Sequence, residues 1–276
     1  MRVMYTLLFA LACNPPHPED TGADTAADAD TDADSDTDAD SDADSDTDTD
    51  TDTDTDTGAS VVTTIQTRVI SAVRIAPPED GADLTGDGAG DSAMHAFEGV
   101  LSPVMNASVL SSDEVTVLQV IVDDDGATRV ASLGLFVAAD TNANPSDNFN
   151  GSAVFDARGA VDSAGRAVAP YPIEMSSGRY SVEIAADTIQ IGSRVLTIVT
   201  PLHLAGEVSV DDHTGVYTFG LALEDVLDIA LDGGQLETVV RPLITAAADL
   251  DSDGDGTFDA LSVAVAFDTT ATGGVR

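Results

Sequence analysis

The chain of 276 residues carries 50 acidic and 10 basic side chains, which give a formal net charge of −40 at pH 7. All ten basic residues are arginines, and the absence of lysine excludes Schiff-base catalysis, a pyridoxal phosphate anchor and the usual glycine–lysine phosphate-binding loop. Nucleic acid repels such a chain, so we expect no DNA or RNA partner. The single cysteine, Cys13, excludes an intramolecular disulfide, a structural zinc cluster and an iron–sulfur site.

Residues 1–12 have the features of a signal peptide, because an arginine and the apolar run Val3–Ala12 precede Cys13. The run is too short for a membrane-spanning helix, which needs about 20 residues. Residues 10–13, Ala-Leu-Ala-Cys, resemble the lipobox of bacterial lipoproteins, in which the cysteine after the cleaved bond is acylated. The resemblance implies lipidation of Cys13 and export to the bacterial outer membrane or cell surface, with several acyl chains as the membrane anchor. The alternative is a longer ordinary signal peptide, with Cys13 incidental.

Residues 13–57 are predicted to form a disordered acidic tether. Every even-numbered residue from Asp28 to Asp56 is aspartate, and the residues between are Ala, Ser or Thr. Neither face of such a segment has a large apolar side chain to bury, so a packed strand is disfavoured. In an extended form of about 3.1 Å per residue the tether would reach on the order of 100 Å. A spacer is the favoured interpretation, and a calcium reservoir or mineral-nucleating strip is the alternative.

Residues 58–276 are predicted to form a single β-rich globular domain, because short β-branched runs alternate there with Gly, Asp and Asn. The predicted strands are 67–75, 115–122, 129–138, 152–157, 180–185, 188–191, 194–199, 202–210, 216–223 and 261–267. Gly192 and Ser193 predict a two-residue hairpin turn. One helix is expected around Met94–Leu101, with Pro103 kinking it or beginning another turn, and a shorter helix is expected at Glu224–Leu231. The prediction is a mainly β fold, an antiparallel β-sandwich or barrel-like domain with one or two short helices.

The most specific motif lies at Asp249–Ser262 and reads DLDSDGDGTFDALS. It places Asp251, Asp253, Asp255, Thr257 and Asp259 at positions 1, 3, 5, 7 and 9 of a calcium loop, with glycine at position 6. Calcium takes six to eight oxygen ligands, and a chain turned tightly at the glycine directs alternate side chains and one carbonyl towards a common centre. The stretch resembles the calcium loops of EF-hands, dockerins and thrombospondin type 3 repeats.

Position 12 of this loop is Ser262, where an EF-hand has a bidentate glutamate. We therefore expect weak affinity, about 10⁻⁴ to 10⁻³ M, as in extracellular modules that calcium stabilises. Asp249 is a candidate for the missing oxygen. A poorer copy, DLTGDGAGD, places Asp83, Asp87 and Asp91 at positions 1, 5 and 9, with threonine at position 3. The alternative for both loops is an acidic turn that binds nothing specifically.

Taken together, the anchor, the tether and the DxDG loops resemble uncharacterised bacterial surface lipoproteins, a resemblance that implies no activity. The leading hypothesis is an exported lipoprotein whose calcium-stabilised, non-enzymatic β domain serves adhesion, envelope architecture or capture of an unknown envelope or extracellular ligand. The main alternative is an exported hydrolase acting on a polysaccharide or ester, with structural calcium, since separations between glutamates such as Glu174 and Glu183 are unknown from sequence. A calcium-dependent sensor is the third hypothesis. No catalytic residue is singled out, because nucleophile-elbow and zinc-protease motifs are absent.

Overall fold

The computed structural model describes residues 61–157, 159–191, 194–231 and 237–276, so the predicted signal peptide, Cys13 and tether lie outside the described residues. The described strands are β1 (Val62–Ile75), β2 (Glu114–Asp124), β3 (Arg129–Asp140), β4 (Val154–Asp156), β5 (Tyr171–Ser176), β6 (Arg179–Ile184), β7 (Thr188–Ile191), β8 (Arg194–Thr197), β9 (Leu202–Val208), β10 (His213–Ala222), β11 (Ala260–Ala271) and β12 (Gly274–Val275). The described α-helices are α1 (Glu98–Leu110), α2 (Leu223–Leu231) and α3 (Glu237–Ala246).

Eight strands close into an antiparallel barrel. Their order around the ring is β3-β2-β1-β11-β10-β9-β6-β5, and β5 pairs again with β3. The predicted mainly β, barrel-like fold is therefore confirmed. Outside the ring, β4 pairs with the end of β3 and β12 pairs with β4. The strands β7 and β8 form a separate hairpin with Ile191 opposite Arg194; the predicted turn residues Gly192 and Ser193 lie outside the described residues.

Strand alternation fills the barrel with apolar side chains. Phe219 of β10 lies opposite Val263 of β11, and Leu204 of β9 lies opposite Tyr217, so successive inward positions form continuous layers. The side chains of the barrel cluster that are under 2% exposed are Leu118, Leu133, Ile184, Leu202, Leu204, Phe219, Leu227, Leu261 and Phe267. Burial of this apolar surface is the main stabilising contribution to the fold.

A second apolar layer covers the outer face of β1, β2 and β3. Val117, Ile121 and Phe136 point out of the barrel there and pack against Phe155 of β4. The fully buried Gln119 fastens the covering segment, because its side-chain amide donates to the Gly165 carbonyl at 2.7 Å and its amide oxygen accepts the Ala167 N–H at 2.6 Å. The barrel wall is thus apolar on both faces in this sector.

Helix α1 replaces a missing strand neighbour of β1. The pairing of β1 with β2 ends at Val69, whereas its pairing with β11 continues to Ile75 after a register shift between Ile70 and Ala72. The N–H groups of Val73 and Ile75 instead donate to side chains of α1, Asn106 Oδ1 at 3.2 Å and Ser102 Oγ at 2.9 Å. The helix is preceded by a 3-10 helix at Ala93–Phe97 and continues through Pro103, where the sequence predicted a kink or the beginning of another turn.

The barrel end that follows β10 is closed by α2, α3 and β8. Leu227 of α2 is 1% exposed and shares one core cluster with Ile244 of α3 and Ile198, which follows β8. The carboxylate of Asp225 accepts the Thr197 N–H at 2.7 Å, which joins α2 to β8. The predicted helix at Glu224–Leu231 corresponds to α2.

Replacing Phe219 by alanine should reduce the free energy of unfolding by about 3–5 kcal/mol, because a buried ring is lost and a cavity remains inside the barrel. Phe258→Ala is the matched control, since Phe258 is 61% exposed and its loss should change stability by less than about 0.5 kcal/mol. Urea unfolding of both variants measures the difference. Equal destabilisation would contradict the placement of the core.

Candidate metal centre in a repeated acidic loop

The loop between α3 and β11 contains the predicted calcium motif. Its two ends are joined by backbone hydrogen bonds, from the Asp259 N–H to the Leu250 carbonyl at 2.9 Å and from the Leu250 N–H to the Ala260 carbonyl at 3.2 Å. Gly254 and Gly256 have φ values of +78° and +87°, a region that L-residues other than glycine rarely adopt. The two glycines therefore allow the chain to turn twice within a few residues.

Three exposed carboxylates converge inside this turn. Asp251, Asp253 and Asp255 each offer an oxygen, and these oxygens lie within 4.8 Å of one another. Oxygens bound to one calcium ion at about 2.3–2.6 Å lie at most about 5 Å apart, so the spacing suits a common ion. The three aspartates form a group that could hold a metal ion, at predicted positions 1, 3 and 5.

The carboxylate orientations are fixed by backbone amides of the same loop. Asp251 accepts the N–H groups of Gly254 and Gly256, both at 2.8 Å, through its two oxygens. Asp255 accepts the Thr257 N–H at 2.7 Å. A carboxylate held in this way keeps a second lone pair on each oxygen available for a cation.

Asp259, the predicted position 9, lies at the base of the loop. Its two oxygens accept the N–H and the hydroxyl of Ser252, both at 2.7 Å, and it is not one of the three converging carboxylates. The backbone N–H of Ser252 is the main cause that holds the pKa of Asp259 below its ordinary value, so the group is ionised at neutral pH. Ligands at position 9 of such loops often act through a water molecule.

Asp249, the candidate for a missing ligand, is bonded elsewhere. Its carboxylate accepts the backbone N–H of Ser262 at 2.8 Å and also the Ser262 hydroxyl. Ser262 Oγ in turn accepts the N–H of Ala93 at 2.7 Å. Asp249 and Ser262 therefore connect the loop to β11 and to the segment before α1, a role that the sequence did not predict.

The loop before α1 repeats the same arrangement residue by residue. Asp83 accepts the N–H groups of Gly86 at 2.6 Å and Gly88 at 2.8 Å, as Asp251 accepts those of its two glycines. Asp87 accepts the N–H two residues later at 2.8 Å, as Asp255 does, and Asp91 accepts the Leu84 N–H at 2.6 Å, as Asp259 accepts that of Ser252. The φ values of the glycines are +78° and +88°. The sequence motif thus identified a true structural repeat.

The two loops differ at position 3. Thr85 stands where the other loop has Asp253, and its hydroxyl donates to Asp83 at 3.4 Å. The first loop thus offers fewer anionic oxygens. Calcium binds more weakly to a site that has fewer charged ligands. The pKa of Asp83 is lowered mainly by the hydrogen bond from the Gly88 N–H, so this carboxylate is also ionised at neutral pH.

Both loops are fastened to the outer face of β10 and β11. The Ala82 N–H, just before the first loop, donates to the Thr218 hydroxyl of β10 at 3.0 Å. Ser92, just after it, donates its hydroxyl to the Ala76 carbonyl at 2.8 Å, and the Ala76 N–H donates to the Ala264 carbonyl of β11 at 2.8 Å. Segments from the two ends of the described chain therefore meet on one barrel face.

Two histidines outside the loops have titratable or charged neighbours, one in a buried cluster inside the barrel and one in a surface pair. His213 is 1% exposed, its Nε2 lies 2.6 Å from the Tyr180 hydroxyl, and its Nδ1 has no partner among the described residues. Arg68 is 7% exposed, and its Nε–H donates to the Thr269 hydroxyl at 2.8 Å. The surface pair, His203 Nδ1 and Glu183 Oε1, is separated by 3.5 Å. The sequence did not predict the buried cluster, although β10 alternation places His213 on the face of Tyr217.

Comparisons with protein-family models, with curated proteins and with solved structures found no match to this chain. Among the described residues, no helix is both long enough and apolar enough to cross a membrane. The case for a function therefore depends on the residues of this chain alone.

The stability of the barrel should fall as the pH is lowered from about 6.5 to about 4, because of His213. Burial, with a smaller effect of the Arg68 charge, lowers the pKa of His213 from 6.5 to about 4, so the imidazole is neutral in the folded chain. The unfolded chain binds a proton in this window and the folded chain does not, which costs roughly 3 kcal/mol by pH 4.

His213→Gln should flatten this part of the stability profile, measured by urea unfolding between pH 4 and 7. His203→Gln is the control for the removal of a histidine, because the His203 side chain lies at the barrel surface, 3.5 Å from Glu183. Parallel profiles for the chain and the His213 variant would contradict the assignment.

Proposed function

We propose that this chain is an exported lipoprotein that presents a calcium-stabilised, non-enzymatic β domain at the cell envelope. The observation that supports it most directly is the convergence of the Asp251, Asp253 and Asp255 carboxylates in one turn. Lipidation of Cys13, the signal peptide and the tether enter the proposal from the sequence. Adhesion, envelope architecture and ligand capture are the three roles that such a domain fits.

Calcium is the favoured ion because the converging ligand atoms are all carboxylate oxygens. Hard cations bind oxygen ligands, and calcium tolerates irregular geometry and a high coordination number, whereas magnesium demands a near-ideal octahedron. Zinc sites are built mainly from cysteine and histidine, and neither residue occurs between Asp249 and Ser262. The carbonyl of Thr257 is the proposed fourth ligand and Asp259 the ligand through water.

A structural role for the ion follows from the position of the loops. Ionised carboxylates less than 5 Å apart repel one another, and a bound divalent cation removes this repulsion. Asp249 links the stronger loop to β11 and, through Ser262, to the segment that carries the weaker loop. An ion bound there would stabilise the contact between the two ends of the described chain. In the first loop Asp83, Asp87 and Asp91 are proposed to bind calcium more weakly.

Adding about 2 mM Ca²⁺ should raise the free energy of unfolding of the full-length chain by about 0.6–1.8 kcal/mol, because a ligand that binds only the folded state stabilises it by mass action. For a chain of this size the melting temperature should rise by about 1–7 °C. Thermal unfolding with calcium and with chelator measures the shift.

Asp251→Asn and Asp253→Asn should abolish most of the calcium-dependent rise, and Asp87→Asn should abolish a smaller part. Asp228→Asn is the matched control, since it removes one exposed carboxylate from α2 and changes the net charge equally. If all four variants respond to calcium like the parent chain, the loops are acidic turns and the calcium proposal fails. A large calcium-induced change of secondary structure would favour the sensor instead.

Cys13→Ser should release the protein from the membrane fraction of a bacterial host and abolish labelling by a fatty-acid probe. The physical reason is that the thiol is the attachment point of the acyl chains. Each CH₂ group that a chain buries in the bilayer contributes about 0.8 kcal/mol to the free energy of membrane binding. Fractionation and probe labelling test the two consequences separately. An unchanged membrane pellet would overturn the anchor and leave the calcium proposal intact.

A further inference from the structure

A large cavity opens at the barrel end opposite α2 and α3. It is bounded by the hairpin turns that join β5 to β6 and β9 to β10 and by the start of β3, and its volume is about 1270 Å³. Ligand pockets typically have volumes of about 300–1,000 Å³, so this cavity can hold a small molecule with room to spare. Eight-stranded barrels are just wide enough to hold one small ligand.

The cavity exists because the barrel is closed only briefly at one seam. The β3–β5 pairing covers only Ala131–Leu133 of β3. The same register would place Arg129 opposite Met175, but these two residues are not paired with each other. The β5–β6 pairing in turn begins only at Glu174, after Pro172, a residue that has no N–H to donate. The strands diverge at this seam, and the interior opens between them.

The opposite side of the mouth is covered. Gln66 of β1 donates from its side-chain amide to the Ser209 carbonyl at 2.8 Å, and Arg68 donates to the Asp211 carbonyl at 2.8 Å. Both bonds hold the β9–β10 turn against β1. Below the cavity Leu118 and Leu133 have no exposed surface, so the interior is filled there. The cavity is therefore a pocket with a floor, with its opening at the β3–β5 seam.

The part of the pocket wall that faces inward is mainly apolar, and the lining also includes Thr64, Gln66, Arg129 and Glu174. Inward-facing side chains of four strands form it, namely Val120, Val122, Ala131, Ile173, Met175 and Val208. Val120 and Ile173 are buried at 3% and 7% exposure, whereas the other four are half-buried and face the open space. The apolar surface continues to the rim, where Val62, Val130 and Val210 are 62%, 59% and 91% exposed. Contact with an apolar molecule would remove this half-buried and exposed apolar surface from water, which lowers the free energy.

The charges around the pocket disfavour ions of either sign. Arg129 and Glu174 line the cavity with one charge of each sign, and Asp125 and Asp211 lie in turns near the mouth, where they repel an anion as it enters. Arg68 lies behind the wall and is almost buried. Among the described residues its guanidinium donates to two uncharged acceptors, the Thr269 hydroxyl and the Asp211 backbone carbonyl. This positive charge disfavours a desolvated cation in the pocket. An uncharged molecule meets neither penalty.

We propose that the barrel mouth binds an uncharged, apolar small molecule. Its apolar body lies against Val120, Val122 and Met175, and any polar end group lies at the β3–β5 seam, beyond the last residue pair of that ladder. The inference gives a ligand class to the ligand-capture role proposed above, but it does not depend on calcium or on the anchor.

The test is a fluorescence titration of the full-length chain with N-phenylnaphthylamine, an uncharged apolar dye, excited outside the tryptophan absorption band. We expect saturable binding that decanol reverses, with decanoate competing at least about tenfold less well because of its charge. Val122→Trp fills the pocket and should weaken dye binding by about tenfold or more, since apolar contact area is lost. Val100→Trp is the matched control on α1, where the valine is 71% exposed.

Met175→Glu is a second variant that places a charge in the half-buried wall without added bulk, and it should weaken dye binding equally. Circular dichroism checks that each variant is folded. Any dye taken up by the apolar leader is common to all variants and cancels. The proposal is overturned if folded Val122→Trp and Val100→Trp bind the dye alike, or if the parent chain does not bind it. Binding that persists with chelator at a temperature where the chain stays folded separates this result from the calcium proposal.

Discussion

The short pairing between β3 and β5 is the contact on which the rest of the structure depends. Three residue pairs close the ring there, whereas β2 and β3 pair along their whole length. Without this closure the inward-facing layer of large aliphatic and aromatic side chains would be exposed at a sheet edge, which proteins otherwise have to protect. Its brevity also explains the open mouth, since the strands separate as soon as the pairing ends. One seam therefore determines both the enclosed core and the accessible pocket.

The distribution of charge follows from the same enclosure. With 50 acidic residues, the chain can fold compactly only if nearly all its carboxylates stay in turns and on outer faces, where water solvates them. Backbone amides in the turns between strands donate to these carboxylates. At the β2–β3 hairpin the N–H groups of Ala127 and Thr128 donate to Asp125 in this way. Two such turns have additional glycines, and one of them brings the carboxylates of Asp251, Asp253 and Asp255 together. The acidic loops are thus an extreme form of a turn that the chain uses repeatedly.

Local pattern was enough to predict most of the strands and both acidic loops. Short runs of β-branched residues located ten of the described strands, β1 to β4 and β6 to β11, within a few residues, because such runs between Gly, Asp and Asn are typical of strands. The strand β5 was missed, since Pro172 and Ser176 weaken its pattern, and α3 was missed because Thr-Val-Val and Pro242 are poor helix formers. Ring closure could not be predicted at all. It depends on which distant edges meet, and no short segment contains that information.

The same limit applies to the candidate sites. The spacing of Asp251, Asp253 and Asp255 predicted a local cluster, because all its geometry lies within one turn. The bond of Asp249 to Ser262, the buried contact of His213 with Tyr180 and the pocket at the mouth each join elements far apart in sequence. Such groups are found only after the barrel is assembled, although the strand alternation already assigns each residue to a face.

The burial of Arg68 has a consequence for proteolysis. Trypsin cleaves after lysine or arginine, and between Arg2 and Arg68 the chain contains neither. Arg68 itself lies paired on both sides in β1 and is 7% exposed, and Arg74 follows in the same strand. The whole acidic segment therefore stays attached to the barrel in the presence of trypsin for as long as β1 remains folded. Release of that segment as a peptide would report directly on the local unfolding of β1.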